Sequence, residues 1–111
     1  MKPLLSLGEF EQITLLAILR LEENAYGVTI REEIASCTGR EPSPGALYTT
    51  LDRLESKGLV RWKIAPGTRE RNGLPRRCYT VSARGVAALR SSQQVLQRMW
   101  HGLDDILKEP Q

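Results

Sequence analysis

The sequence predicts a mainly helical α+β fold, and three observations in its 111 residues carry the prediction. In the first half of the chain, apolar residues recur at the three- and four-residue spacing of helices. Two short runs follow in which apolar and polar residues alternate as in strands, separated by a loop rich in Gly, Pro and Arg. The chain then closes with a helical pattern whose leucines stand seven residues apart.

Three helices are predicted before the strands. Residues 7–21 carry a broad apolar stripe, and residues 26–37 place apolar side chains at spacings of four and seven. The third helix is predicted over residues 44–57, with Ser43 as its N-cap and Pro44 in its first turn. Its leucines repeat at helical spacing, and small or hydrogen-bonding side chains occupy its other faces.

A hairpin and a long helix are predicted for the second half. The strands are residues 59–64 and 76–81, joined by the basic loop 65–75. The last helix is predicted over residues 82–108, capped by Ser82, with a length of about 40 Å. Its apolar seam is too extensive for the small domain before it, so we expect a second copy of the chain to cover it.

The basic charge is concentrated in one third of the chain. Residues 58–90 have a net charge of +7, whereas residues 1–57 have −3 and residues 91–111 have −1. A basic hairpin between two regions of net negative charge predicts a polyanionic partner.

The composition excludes several function classes. With one histidine, His101, and two cysteines, the chain has no constellation for an enzyme, and we expect no catalytic residue, metal or cofactor. Cys37 and Cys78 lack metal-binding spacing and are predicted to be reduced thiols. No run is long enough to span a membrane and no secretory stretch is evident, so we expect a cytoplasmic protein. His101 is interpreted as an exposed helix residue, with a pH sensor as the alternative.

Three helices followed by a hairpin is the order of a winged helix-turn-helix domain. We expect residues 1–81 to form this DNA-binding domain and residues 82–111 to form a dimerisation helix. The third helix would enter a major groove, and the hairpin would reach the adjoining backbone. Two copies would read a palindromic operator with half-sites about 34–36 Å apart. The hairpin contacts are predicted for Arg69, Arg71, Arg76 and Arg77.

Two motifs resemble the PadR family of bacterial transcriptional regulators. The run PGALYTTLDRLESKGLV at residues 44–60 resembles the family's recognition helix, and LPRRCYTVSARG at 74–85 resembles its wing strand and the following helix start. The pair Tyr26 and Gly27 also fits, although Cys78 stands where the family usually has an aromatic residue. The resemblance implies DNA contacts by Ser43, Pro44, Gly45, Tyr48, Thr49, Arg76 and Arg77.

The resemblance further implies a dimeric repressor released by a small ligand. The length is similar to the short subfamily, in which one long helix forms the dimer. Trp100 is interpreted as dimer packing or as the stacking surface of a pocket for a planar, hydrophobic or aromatic effector. The predicted dimer and pocket residues are Phe10, Leu89, Leu96, Met99, Trp100, Leu103 and Ile106.

The sequence leaves alternative interpretations for several residues and for the function. Tyr48 is either a half-buried core residue or a phosphate contact through its hydroxyl, and both can hold. Arg53 is either a DNA contact or a solvated helix charge. Arg76 and Arg77 are neighbours on a strand, so we do not expect both to face the same way. The alternative function is a protein-interaction module whose basic wing docks an acidic partner without specific DNA binding.

Overall fold

The computed structural model describes residues 7–108 and confirms the mainly helical α+β class. Residues 1–6 and 109–111, where the two predicted domains begin and end, lie outside the described residues. The predicted first three helices and both strands are present within two residues of their expected bounds. The elements are α1 (Glu9–Leu21), α2 (Gly27–Thr38), α3 (Pro44–Ser56), β1 (Val60–Ala65), β2 (Arg76–Val81), α4 (Ala83–Trp100) and α5 (Asp104–Leu107).

Local chemistry sets the helix ends. The Ser43 hydroxyl accepts a hydrogen bond from the backbone N–H of Ala46 at 3.1 Å, and Pro44 occupies the first helical position of α3. Gly39 ends α2 in the left-handed conformation, with φ of 78°. The Ser82 hydroxyl accepts from the N–H of Gly85 and donates to the Gly58 carbonyl, which joins the start of α4 to the start of the hairpin.

One hydrophobic core joins the three helices to the hairpin. Each element contributes buried side chains, and α3 supplies three leucines at helical spacing. Opposite faces of α3 therefore have different roles, since its leucines fix it in the core while the other face stays open. The buried apolar residues include Leu15, Ile18, Ile30, Ile34, Leu47, Leu51, Leu54, Val60 and Tyr79.

The two strands pair antiparallel, with Val60 opposite Val81 and Ala65 opposite Arg76. We call β1, β2 and the connecting residues 66–75 the wing. The backbone N–H of Tyr79 donates to the Ala25 carbonyl at 2.8 Å, so β2 is also hydrogen-bonded to the turn before α2. The wing is therefore fixed to the helix-turn-helix and is not an isolated hairpin.

The prediction of one continuous C-terminal helix is wrong. α4 ends at Trp100 after 18 residues, or about 27 Å, and the four-residue α5 follows after a break. His101 has extended backbone angles and Gly102 is left-handed, with φ of 82°, a conformation that glycine adopts without a steric penalty. Leu103 and Ile106 therefore lie beyond the helix that carries the rest of the predicted seam.

A partly buried ion pair joins the start of α1 to the end of α3. The Glu11 side chain is 7% exposed, and its carboxylate accepts from Lys57 Nζ at 2.8 Å and from the Gly8 backbone N–H at 2.8 Å. Burial opposes ionisation, but Lys57 and the Gly8 N–H outweigh it and lower the pKa of Glu11.

We expect Glu11→Gln to lower the free energy of unfolding at pH 7 by about 1–2 kcal/mol, because Lys57 is 40% exposed and water screens part of the attraction. Since folding lowers the pKa of Glu11, its contribution is complete above the unfolded-state pKa of about 4.3 and is lost as the pH falls through the folded-state value. Urea unfolding of both proteins between pH 3 and 7 tests this. The difference should shrink towards pH 3, and a difference that is constant with pH contradicts the assignment. Glu33→Gln, which affects an exposed pair with Arg20 and a surface hydrogen bond from Cys37, is the control with a far smaller effect.

Candidate nucleic-acid interface

The outer face of α3 carries the residues predicted to contact DNA. Leu47, Leu51 and Leu54 are buried, which turns the opposite face of this recognition helix to solvent. Tyr48 is 44% exposed. The other predicted contacts on and before α3 are all exposed, namely Ser43, Pro44, Gly45, Thr49 and Arg53.

Tyr48 packs against the first residue of α2. A Cβ atom added to Gly27 would lie 2.2 Å from the Tyr48 hydroxyl, so the tyrosine occupies space that only glycine leaves open. This contact gives a physical reason for glycine at the start of α2. The hydroxyl end of the Tyr48 ring therefore packs on α2, while 44% of the residue stays exposed.

The recognition helix and the wing meet in a cleft of about 500 Å³, which we call the wing cleft. It lies between the start of α2, the middle of α3 and the two strands. Three of the four predicted wing arginines share it with Tyr48, whereas Arg69 lies at the exposed wing tip. Thr49 and Arg53 lie on α3 outside it. The lining residues are Tyr26, Gly27, Val28, Tyr48, Asp52, Ile64, Arg71, Pro75, Arg76, Arg77 and Tyr79.

Two aromatic rings hold the strand arginines. The Arg76 guanidinium lies 3.4 Å from the centre of the Tyr26 ring, and that of Arg77 lies 4.1 Å from the Trp62 ring. The two groups therefore stack on different rings, as expected for neighbouring strand positions, although both side chains line the cleft. Sequence reasoning assigned no role in the site to Tyr26, because its contact with Arg76 joins residues fifty positions apart.

The floor of the cleft is a buried tyrosine. The Tyr79 hydroxyl is buried and has no hydrogen bond of normal geometry within residues 7–108. Burial raises the pKa of Tyr79, and the positive charge of Arg77 opposes that shift in part. The Tyr79 hydroxyl in turn raises the pKa of Arg77, with Asp52 and Glu55 adding to the effect, so Arg77 stays fully charged.

The wing tip is a closed loop. A Cβ atom on Gly67 would lie 2.0 Å from the Gly73 carbonyl oxygen, so the two arms of the loop touch through their backbones. Between them, Arg69–Arg71 forms a single 3₁₀ turn, and Arg71 Nε donates to the Leu74 carbonyl at 3.2 Å. This geometry places Arg69 at the end of the wing and turns Arg71 back towards the cleft.

The predicted dimer residues fall into three places. Leu96, Met99, Trp100, Leu103 and Ile106 are exposed apolar side chains on α4 and the segment after it. Leu89 is instead partly buried against the core of its own chain. Phe10 is also packed on the core and lines a cavity with Ile13 and Ile34, whereas Trp100 lines a different one.

The groove between α1 and α4 has a volume of about 520 Å³. Trp100 stands at the last turn of α4 and contributes to the groove together with apolar residues of both helices. Its apolar lining residues are Leu16, Leu19, Val86, Leu89, Leu96 and Trp100.

Both cysteine thiols donate hydrogen bonds. Cys37 is exposed and donates to Glu33, while Cys78 is buried and donates to the Glu23 carbonyl. In residues 7–108, no group of three or more His, Cys, Asp or Glu side chains is placed to hold a metal ion. Across the same part of the chain, no helix combines the length and apolarity needed to cross a membrane.

Comparison with known proteins gives consistent matches. The family model described as "Transcriptional regulator PadR-like family" matches residues 15–91. Transcriptional regulator Rv3488 of Mycobacterium tuberculosis is 33% identical over 78 residues, which are 70% of this chain and 68% of that protein. The crystal structure of a PadR-like transcriptional regulator from Bacillus cereus aligns with a TM-score of 0.71 at 20% identity, over 91% of this chain and 93% of that one. A PadR family regulator from Eggerthella lenta aligns with a TM-score of 0.67 at 25% identity, over 92% and 88%.

Proposed function

This chain belongs to the PadR-like family of transcriptional regulators, and on that premise we propose that it is a homodimeric repressor of a two-fold-symmetric DNA operator. It is a DNA-binding winged-helix regulator and not an enzyme. We also assign the residues that contact DNA, the surface that forms the dimer and the site that binds a small effector.

The observation that carries the proposal is the wing cleft. Tyr48 of the recognition helix and three arginines of the wing line one concave surface, with Asp52 as the acidic residue among its lining residues. Such a surface complements a DNA backbone, which carries one charge per phosphate at close spacing. We assign Arg71, Arg76 and Arg77 to phosphate contacts, and Arg69 at the wing tip to the flanking backbone.

The exposed face of α3 supplies the contacts to bases. The helix starts with Ser43, Pro44 and Gly45, which leave little side-chain bulk between the backbone and the DNA. The first amides of α3 favour a phosphate, and Thr49 and Arg53 stand where side chains can reach base edges in a major groove. In this proposal the wing positions the protein on the DNA backbone, and α3 provides the preference for a base sequence.

The dimer is proposed to form through α4 and the segment after it, residues 82–111, while residues 1–81 bind DNA. The support is the row of exposed apolar side chains from Leu96 to Ile106, together with the apolar groove between α1 and α4. Monomeric proteins seldom leave such a patch uncovered. A second copy would cover it and present two recognition helices to a palindromic site.

The effector is proposed to be a small planar molecule at Trp100. This side chain is 54% exposed and lies beside Met99, Leu103 and Leu107 on an open apolar surface. An indole face with a methionine nearby suits varied aromatic ligands. Quenching of tryptophan fluorescence by a planar dye, present in the protein and lost in Trp100→Ala, is the test, and quenching that persists in the variant removes Trp100 from the pocket.

We expect the double variant Arg76→Gln, Arg77→Gln to bind operator DNA about 10- to 100-fold more weakly, because two charge-assisted phosphate contacts are lost. The slope of log affinity against log salt should fall by about 2. Fluorescence anisotropy with the duplex upstream of the chain's own gene, at several salt concentrations, measures both quantities. Arg98→Gln, which removes an exposed charge at the end of α4, is the matched control.

The wild-type protein must also prefer this duplex over a scrambled one of the same length. Equal affinity for both would reject sequence-specific regulation. Binding to an acidic protein in place of DNA would favour the alternative, a protein-interaction module.

A further inference from the structure

Tyr26 stands at the junction of the helix-turn-helix and the wing. It precedes α2, and its backbone N–H is hydrogen-bonded to the Thr29 hydroxyl at 2.9 Å and to the Asn24 carbonyl at 3.1 Å. The ring is therefore attached to a well-fixed backbone. The guanidinium that covers this ring belongs to Arg76, on a different element, at 3.4 Å from the ring centre.

Stacking on a ring leaves the guanidinium able to bind an anion. The flat face of the group contacts the ring, while its N–H donors point outward in the plane, the arrangement that matches a phosphate with two parallel hydrogen bonds. Arg76 makes no ion pair with the described residues. A long side chain that is already held in place also loses less conformational entropy when it binds.

The stack of Arg77 on Trp62 differs from the stack of Arg76 on Tyr26 in the elements that it joins. Arg77 stacks on Trp62, which lies on β1, so that contact stays within the wing. Arg76 instead stacks on Tyr26, in the turn before α2, and the hydrogen bond from the Tyr79 N–H to the Ala25 carbonyl holds the same strand against the same turn. The position of Arg76 relative to the recognition helix therefore depends on the Tyr26 ring.

We infer that Tyr26 is a positioning residue that holds Arg76 in the wing cleft as a two-pronged donor for one backbone phosphate. This inference rests on the proposed function, because the phosphate is that of the bound DNA. The start of α2 at Gly27 lines the same cleft and adds the positive end of a 12-residue helix beside the phosphate.

The experiment compares Tyr26→Leu with Tyr26→Phe in the full-length protein, using the duplex upstream of its own gene. We expect Tyr26→Leu to weaken binding about tenfold, and Tyr26→Phe, which keeps the ring, to stay within about twofold of the wild type. The salt slope of Tyr26→Leu should fall by about 1, as in Arg76→Gln, although Tyr26→Leu removes no charge. Adding Arg76→Gln to Tyr26→Leu should weaken binding little further.

Three results would overturn the inference while leaving specific DNA binding intact. These are an unchanged salt slope in Tyr26→Leu, fully additive losses in the double variant, and wild-type affinity in Arg76→Lys, which keeps the charge but lacks the planar fork. Arg76→Lys decides the question even if Tyr26→Leu fails to fold. A wild-type protein without preference for its own upstream duplex would reject the proposed function itself, and this inference with it.

Discussion

Leu96→Glu is expected to give a monomer that has lost operator binding. Leu96 is exposed on α4 and lines the groove against α1, where we place the second copy. The substitution would bury two unpaired carboxylates in a symmetric interface, which costs several kcal/mol. Because a dimer binds two half-sites together, its loss should reduce operator affinity by about 10²- to 10⁴-fold. Sedimentation at several protein concentrations and a gel shift measure the two effects.

Gln94→Glu is the control for this prediction. It adds the same charge to an exposed position of α4, about 200° around the helix from Leu96. It should leave both the dimer and DNA binding intact. Leu103→Glu extends the test beyond the end of α4 to the turn before α5. A Leu96→Glu protein that sediments as a dimer like the wild type would show that this face is not the interface.

Gly85→Ala is expected to destabilise the fold by about 2–3 kcal/mol. A Cβ atom at this position would lie 2.3 Å from the Leu59 carbonyl oxygen and 2.6 Å from Val81 Cγ1, so α4 would have to move away from the base of the wing. The obstacle is a backbone group in a paired hairpin and not the end of a flexible side chain. Urea unfolding at one fixed protein concentration measures the change, since dimerisation makes stability depend on concentration.

Gly45→Ala is the matched control, since it makes the same substitution in the first turn of another helix. Apart from the backbone of α3 itself and the two adjacent residues, no heavy atom lies within 4 Å of a Cβ atom at Gly45. Alanine should therefore stabilise α3 by about 0.5–1 kcal/mol, because it lowers the conformational entropy of the unfolded chain. Equal effects of the two substitutions would contradict the packing described for Gly85. DNA binding by Gly45→Ala should fall nevertheless, if the backbone at this position approaches the DNA as proposed.

Local signals in the sequence were sufficient to predict helices α1, α2 and α3. Ser43 and Pro44 are strong start signals for α3, and Gly39 is an equally strong stop for α2, so local chemistry determined these ends. The C-terminal helix was predicted too long for a physical reason. The apolar spacing continues through Leu103 and Ile106, and one glycine inside such a pattern is often tolerated. Only the observed backbone shows that the chain turns at Gly102.

The site could be predicted as a set of residues but not as an arrangement. Charge indicated Arg76 and Arg77, and the family resemblance indicated Tyr48, without showing that they line one cleft. The stacking of Arg76 on Tyr26 depends on tertiary packing, and no periodicity relates positions so far apart. The same limit applies to Phe10, since its apolar character does not show that its side chain packs on the core of its own chain.

The contact between Gly67 and Gly73 divides the wing into a paired base and a tip. Below the contact, strand pairing up to Ala65 and Arg76 fixes Arg76 and Arg77, whereas Arg71 reaches the cleft from the tip. Above it, residues 68–72 form a loop closed by its own backbone. We therefore expect tips of other lengths and charges to leave the strand register unchanged. In the proposed complex, the contacts of the tip with flanking DNA can then be redesigned while Arg76 and Arg77 keep their positions.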